Sequence, residues 1–485
     1  MAAVTADPLH PRLQSSPSPA ATYALQRAAL AADGAPDFAR RMHALAALAD
    51  ELRARQNELA DAISADFGGR SRDETLLLEL LPLLDLIRYA RASLAGWMKP
   101  RRVAPTWFLL PSRALIVYQP LGVVGVIGAW NYPLLLTLGP VVDALAAGNH
   151  VMIKPSELTP RTAALIGDLI AERFPGEYVS ATLGGPEVGE AFAALPFDHL
   201  LFTGSTRVGA LVMRAASANL TPVTLELGGK SPAIVHESYP LASALERILV
   251  GKLYNCGQTC IAPDYLLAPR GRDGEIERAA RSLVSRVYPR LVANDDYTRI
   301  LSRGHYQRLF DAVTEARERG ARVVPINPGG EDCTPENKVF PPTLVFDAPL
   351  DSAIMRDEIF GPVLPVVAYD SLAEAIRFVN DRPRPLALYY FDNDRDRVEA
   401  VLRETTSGGV TVNDVLLHIG QHGLPFGGVG PSGMGHYHGF HGFETFSKKK
   451  GVMLQSGTRF TGLLAPPFTQ RTRAIISRLL SLSGG

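Results

Sequence analysis

His199-Leu200-Leu201-Phe202-Thr203-Gly204-Ser205-Thr206-Arg207-Val208-Gly209 is the stretch on which the fold turns. The apolar run His199 to Thr203 stops at a Gly-Ser pair, and the residues after Thr206 resume at helical spacing. A short buried strand feeding a helix is the reading. Backbone N–H groups and the positive helix end at such a turn can hold a pyrophosphate. The glycines do not follow G-x-G-x-x-G, so on this run alone an ordinary turn into a helix is the simpler account.

The flanks repeat the pattern. Upstream, Val123 to Ile127 reads as a strand, Pro140 to Ala147 as part of a helix, His150 to Ile153 as a strand and Arg161 to Phe174 as a helix. Downstream, Thr221 to Glu226 is again a strand. Such alternation predicts parallel βαβ units. Lys154-Pro155-Ser156-Glu157 follows one of these strands, where ligands bind in open α/β sheets. A lysine and a glutamate there can hydrogen-bond ribose hydroxyls, although a solvated turn fits the four residues equally well. Ala114 to Val142 carries no charge and is long enough for a membrane span. Pro120, Pro133 and Pro140 and four glycines break it, so a buried strand leading into a buried helix is expected.

Farther out, Tyr23 to Trp97 is predicted helical, with Met42, Leu45, Leu48 and Leu52 on one face and Leu77, Leu80, Leu81 and Leu84 on another. Asp73 or Glu74 is expected near a helix start. Pro100 to Tyr118 suits a protruding hairpin. A second alternating region from Ser231 to Asn413 predicts strands at Ala262 to Ala268, Arg322 to Ile326, Thr343 to Phe346 and Leu364 to Tyr369, with helices starting near Pro240, Gly274, His305 and Leu372. Residues 1–22, rich in Ala, Pro and Ser, read as a disordered lead without the basic start and apolar core of a secretion signal. Arg471 to Leu480 reads as an amphipathic helix.

The 485 residues suggest two or three domains, and 49 basic against 49 acidic side chains leave no surplus for nucleic acid. Three cysteines, Cys256, Cys260 and Cys333, exclude a disulfide scaffold and suit a reducing, cytoplasmic location.

Chemistry concentrates in Asn255-Cys256-Gly257-Gln258-Thr259-Cys260 and the upstream Glu226-Leu227-Gly228-Gly229-Lys230. A thiol attacks as thiolate, and a nearby carboxylate can activate a water. Gly228 and Gly229 keep the backbone slim, so that it can approach a flat ligand. The plainer account is a buried structural cysteine and a surface glutamate. Cys256, Cys260 and the histidines 436, 438 and 441 do not form a metal pattern: no C-x-x-C pair is present, and metal would consume the nucleophile.

Asn131 in Gly128-Ala129-Trp130-Asn131-Tyr132-Pro133, the Lys154 turn, Phe202 to Gly209, Glu226 to Lys230, Cys256 to Cys260, Glu358-Ile359-Phe360-Gly361-Pro362 and Leu424-Pro425-Phe426-Gly427-Gly428 stand in one order. In that order, over residues 23 to 450, the chain resembles the aldehyde dehydrogenases. Cys260 to Tyr265, Gly409 to Asp414 and Gly430 to Gly439 resemble the branch of class 3 and fatty aldehyde enzymes. Arg382 to Tyr390 and Gln119 to Gly125 are most similar to bacterial coniferyl-aldehyde dehydrogenases.

The resemblance implies an α/β aldehyde dehydrogenase fold. The NAD(P)-binding Rossmann-like domain would span 23–99 and 121–226, the bridging arm 100–120 and 416–450, the catalytic domain 227–415, and the tail 451–485 would supply a gate helix. It implies that Cys260 forms a thiohemiacetal and then a thioester, that Asn131 and the Cys260 N–H hold the oxyanion, and that Glu226 activates the hydrolytic water. Lys154, Ser156 and Glu157 would sit at the adenine ribose, Gly204, Ser205 and Gly209 at the diphosphate, and Leu227, Glu358 and Phe360 at the nicotinamide side. Trp130 and Tyr132, with Tyr265, would line a substrate funnel. The expected cofactor is NAD, with NADP tolerated. The partners are a small-molecule aldehyde and a second copy in a homodimer, with no nucleic acid and no membrane span. Cinnamyl aldehydes such as coniferaldehyde are the expected substrates and aliphatic or long-chain aldehydes the alternative. A CoA-acylating enzyme and a non-catalytic scaffold are further readings; Glu226 argues against the first, and Glu226 and Cys260 together against the second.

Overall fold

The computed structural model describes residues 18–457, 462 and 465–482. Most of the expected disordered lead, residues 1–17, lies outside that range. Its last residues are helical instead: Pro19–Asp33 starts early because Ser18 accepts the Ala21 N–H at 3.3 Å and Pro19 needs no partner at the first helical position. The helical layer continues through Phe38–Ala54, Gln56–Phe67, Arg72–Thr75 and Leu81–Trp97. A π-helical turn, Leu76–Leu80, joins the last two.

The βαβ units build a six-stranded sheet in the order Gly433–Met434, Val223–Glu226, His199–Thr203, Val123–Ile127, His150–Lys154, Val179–Ala181. All neighbours are parallel except the first pair. The chain winds outward from Val123–Ile127 to Val179–Ala181, then returns to its other side at His199–Thr203. That reversal opens a crevice at the strands' carboxyl ends. The three central strands are buried throughout, so their runs are apolar and not alternating.

The helix expected from Pro140 spans Leu135–Ala147 with the proline inside. Glu79 accepts the Leu134 and Leu135 N–H groups at 2.8 and 3.1 Å, so the helix is started upstream and Pro140 forfeits one interior bond without ending it.

A seven-stranded sheet follows: Arg322–Pro325, Thr343–Phe346, Val363–Tyr369, Tyr265–Pro269, Pro232–Val235, Ala387–Phe391, Gly409–Val412, parallel except at its first strand. The strand expected from Ala262 begins at Tyr265, because the Ala262 N–H closes a turn onto the Thr259 carbonyl. The hairpin Arg101–Val103 and Arg113–Pro120 is completed by Ser447–Leu454, which runs beyond residue 450. Gly433–Met434, placed by the sequence in the arm, pairs instead with Val223–Glu226. Among the described residues no helix is long and apolar enough to cross a membrane.

Candidate active site

A cleft of about 1950 Å³ lies over the carboxyl ends of the six-stranded sheet and reaches the Cys260 loop. It exceeds the roughly 300–1,000 Å³ of a site for one small ligand. Cys260, Glu226, Asn131, Lys154, Ser156, Glu157, Gly204, Ser205, Leu227, Glu358, Phe360 and Trp130 all line it. Gly209 and Tyr132 do not. A Cβ on Gly209 would lie 2.7 Å from a Leu227 methyl, so this glycine lets its helix settle on Leu227. The Tyr132 ring lies under the Arg70 guanidinium and its hydroxyl hydrogen-bonds Thr259 at 2.7 Å. It braces the Cys260 loop and does not line the cleft. Tyr265 likewise packs inside the seven-stranded sheet's core beside Phe378.

The loop carrying Cys260 is bent by three successive left-handed residues, Asn255, Cys256 and Gly257, at φ 51, 52 and 73°. Such conformations cost side-chain-bearing residues about 1–2 kcal/mol each. Hydrogen bonds hold them. The Asn255 N–H donates to Glu74 at 3.1 Å, and its side-chain amide donates to the carbonyls of Asn131 and Gln258 at 2.8 and 3.1 Å. Gln258 donates to the Asn255 and Arg299 carbonyls and accepts from the Leu301 N–H. The Asn131 amide itself donates to the Gln258 carbonyl at 3.1 Å, two residues before Cys260. Cys256 points the other way, its thiol 3.5 Å from the Tyr297 hydroxyl in a separate core cluster, so the loop does not present it to Cys260.

Burial pushes the Cys260 thiol up, and the negative charges of Glu358 and Glu226 push it further, while the N–H groups of Cys260 and Ile261 act in the opposite sense. Glu226 is buried, held well above the usual carboxylate range, and neither of its oxygens has a partner among the described residues. Burial and then Asp264 push Glu358 up to about 8, against the Gly229 N–H, Lys230 and Arg308. A Cβ on Gly228 would meet the Glu358 carboxylate at 1.9 Å. Gly228 lines the cleft, as expected of a slim backbone, and its missing side chain also makes room for the Glu358 carboxylate.

Lys154 and Glu157 form an ion pair of 2.5 Å at the strand end, and Ser205 caps helix Thr206–Ser217 by accepting the Val208 N–H at 3.4 Å. Phe360, at φ 50°, stands edge-on to Trp130 at 5.3 Å, and His305 covers Trp130 at 4.9 Å. Arg308 donates to the Glu358 and Ile359 carbonyls and fixes the Glu358 loop. Sequence reading missed His305, Arg308 and Glu74. The first two share one turn of helix Arg303–Glu318, a spacing that any amphipathic helix shows.

The residues fit a dinucleotide: a helix amino end with its serine cap, a Lys/Glu pair at a strand end, and buried carboxylate oxygens open to the cleft. The model of the family described as "Aldehyde dehydrogenase family" matches residues 12–452. This chain belongs to the aldehyde dehydrogenase family. The enzyme is 51% identical over 459 residues to a "Probable coniferyl aldehyde dehydrogenase" of Pseudomonas aeruginosa, covering 95% of each chain. It is 45% identical over 426 residues to the "Coniferyl aldehyde dehydrogenase" of Pseudomonas sp. strain HR199, covering 87% of this chain and 88% of that one. Among solved structures, the substrate-bound Staphylococcus aureus AldH superposes with a TM-score of 0.89 at 37% identity, over 96% of this chain and 100% of that one. The Mycobacterium tuberculosis aldehyde dehydrogenase complexed with NAD+ gives 0.81 at 30% identity, over 91% of each. No described residue of helix Gln470–Leu482 lines the cleft.

Proposed function

We propose that this dehydrogenase oxidises cinnamyl-type aldehydes such as coniferaldehyde to their acids with NAD, and NADP as a tolerated alternative. The names of its coniferyl relatives and the NAD+ in a structural neighbour support the reading. The observation that carries it is the meeting of Cys260, Glu226 and Asn131 on one cleft wide enough for a dinucleotide and a substrate together.

Cys260 releases its thiol proton to solvent and forms the carbon–sulfur bond to the aldehyde as thiolate. The second N–H of the Asn131 amide and the Cys260 backbone N–H stabilise the oxyanion, each donor contributing about 3 kcal/mol. The bound dinucleotide supplies the acceptor for the hydride. Glu226, unpartnered and desolvated, takes the proton of the water that attacks the resulting thioester, and Cys260 leaves as the free thiol. Lys154 and Glu157 hold the adenine ribose, with Ser156 beside them. The N–H groups at Gly204 and Ser205 meet the diphosphate, and Glu358, Phe360 and Leu227 meet the nicotinamide end. The Glu157 carboxylate repels a 2′-phosphate and so favours NAD. Trp130 is the remaining aromatic candidate for the substrate wall.

Residues 23–99 and 121–226 form the cofactor domain in this reading, 227–415 the catalytic domain, and 100–120 with 416–454, apart from Gly433–Met434, the arm. Exposed Trp107, Phe108 and Leu110 on the arm suit a homodimer contact. The three free cysteines suit the cytoplasm. Cys260→Ala tests the assignment: oxidation followed by NADH absorbance should vanish while NAD still binds. Unchanged turnover in that variant would end it.

A further inference from the structure

Arg70 and Glu79 are both completely buried, and the guanidinium Nη1 donates to Glu79 Oε1 at 2.8 Å. A buried ion pair does not need a stabilising role to persist, and replacing it by apolar groups is often neutral. What these two side chains touch is more telling. The same Nη1 donates to the Asn131 backbone carbonyl at 3.1 Å. The other Glu79 oxygen receives the N–H groups of Leu134 and Leu135. The guanidinium plane lies 4.9 Å over the Tyr132 ring, whose hydroxyl ends on Thr259. Every residue from Asn131 to Leu135 except Pro133 is therefore held by this pair.

Glu74 extends the hold to the second half of the site. It accepts the Asn255 N–H at 3.1 Å and the Thr298 hydroxyl at 2.9 Å, 181 and 224 residues away in sequence. Glu74 lies on the turn of helix just before the π-helical turn Leu76–Leu80, and Glu79 within it. Its wider turn lets Glu74 and Glu79, five residues apart, both face Arg70, whose charge draws both carboxyls down against burial. Arg70 and the first turns of the helical run that starts at Arg72 thus hold both the Asn131 turn and the Cys260 loop.

We propose that Arg70 is a positioning residue for oxidation: with Glu79 it fixes the Asn131 backbone so that the side-chain amide is aimed at the oxyanion over Cys260. The inference rests on the proposed oxyanion role of Asn131. Arg70 touches neither substrate nor cofactor, so its effect passes through Asn131.

A double-mutant cycle on the full-length enzyme with saturating NAD tests it. Asn131→Ala should lower kcat/KM about 10²-fold, the typical loss of one oxyanion donor. Arg70→Met should lower it to a similar extent, since a displacement near 1 Å costs about that much. The double variant Arg70→Met/Asn131→Ala should lose no more than Asn131→Ala alone, where independent effects would multiply to about 10⁴-fold. The isotope effect with aldehyde deuterated at the carbonyl carbon should change from its wild-type value to the one seen in Asn131→Ala, a shift that a smaller folded fraction cannot produce. If Arg70→Met does not fold with Glu79 left unpaired, Arg70→Met/Glu79→Gln removes both charges and takes its place in the cycle. Multiplying losses, or an Arg70 variant with wild-type kcat/KM and isotope effect, would overturn the proposal. Full activity in Asn131→Ala would instead overturn the underlying oxyanion reading.

Discussion

Gly257→Ala should cripple the enzyme without touching a reacting atom. An added Cβ would lie 2.2 Å from the Gly361 carbonyl oxygen, 2.5 Å from its carbonyl carbon and 3.0 Å from the Pro362 nitrogen. All three are backbone atoms, so no side-chain rotation relieves the clash. Reaching ordinary contact requires the Cys260 loop and the Glu358–Pro362 loop to part by about 1 Å, at an overpacking cost of about 1–3 kcal/mol. The φ of +73° adds about 1 kcal/mol for any residue with a Cβ. A shift of that size in the nucleophile costs on the order of 10²-fold in rate. The assay is kcat/KM for coniferaldehyde by NADH absorbance, with melting temperature beside it. Gly330→Ala is the control: its φ is +61°, but nothing lies within 4 Å of the added Cβ, so it carries a positive φ without the clash. Gly257→Ala within twofold of wild type would refute the reasoning.

Two further outcomes follow from the same geometry. Glu358 is held near 8 in the fold against an ordinary value of 4.5, so the native state binds its proton more tightly than the unfolded chain. Its contribution to stability is complete below about 4.5 and is lost as pH rises through about 8. Glu358→Gln should therefore gain melting temperature relative to wild type more at pH 8.5 than at pH 5 in cofactor-free protein, and a difference independent of pH would contradict this. Removal of the chain after about residue 458, with helix Gln470–Leu482, should alter the preference between aromatic and long-chain aldehydes if the tail gates the mouth. An unchanged kcat/KM panel would reject the gate.

Much of this molecule was readable in the sequence because its signals are local. The buried strands at Val123, His150 and His199 are short apolar runs closed by turn residues, and the helices between them keep their spacing. Cys260 and Glu226 stood out only through the ordered motifs around them, since by themselves they read as a structural cysteine and a surface glutamate. What escaped depends on contacts between distant residues. Glu74 looks like a helix-start acid; the Glu74 N–H does bond to Ser71, but its carboxylate serves Asn255 and Thr298. Pro140 to Ala147 reads as part of a helix, but its start at Leu135 depends on Glu79, reached only through the fold. Tyr132 looks like a substrate wall beside Asn131, and the Arg70 guanidinium turns its face into the core. Gly228 lines the cleft as its slim backbone suggests, but that its missing side chain also makes room for Glu358, 130 residues later, no local pattern can reveal.

A covalent intermediate is the most direct trap for the central chemistry. Glu226→Gln, mixed with coniferaldehyde and NAD and quenched in acid, should accumulate one acyl group on the peptide containing Cys260 by mass spectrometry, with about one NADH released per site before turnover stalls. An enzyme that releases acid at the wild-type rate in this variant, or that carries the acyl group on another residue, would contradict the account.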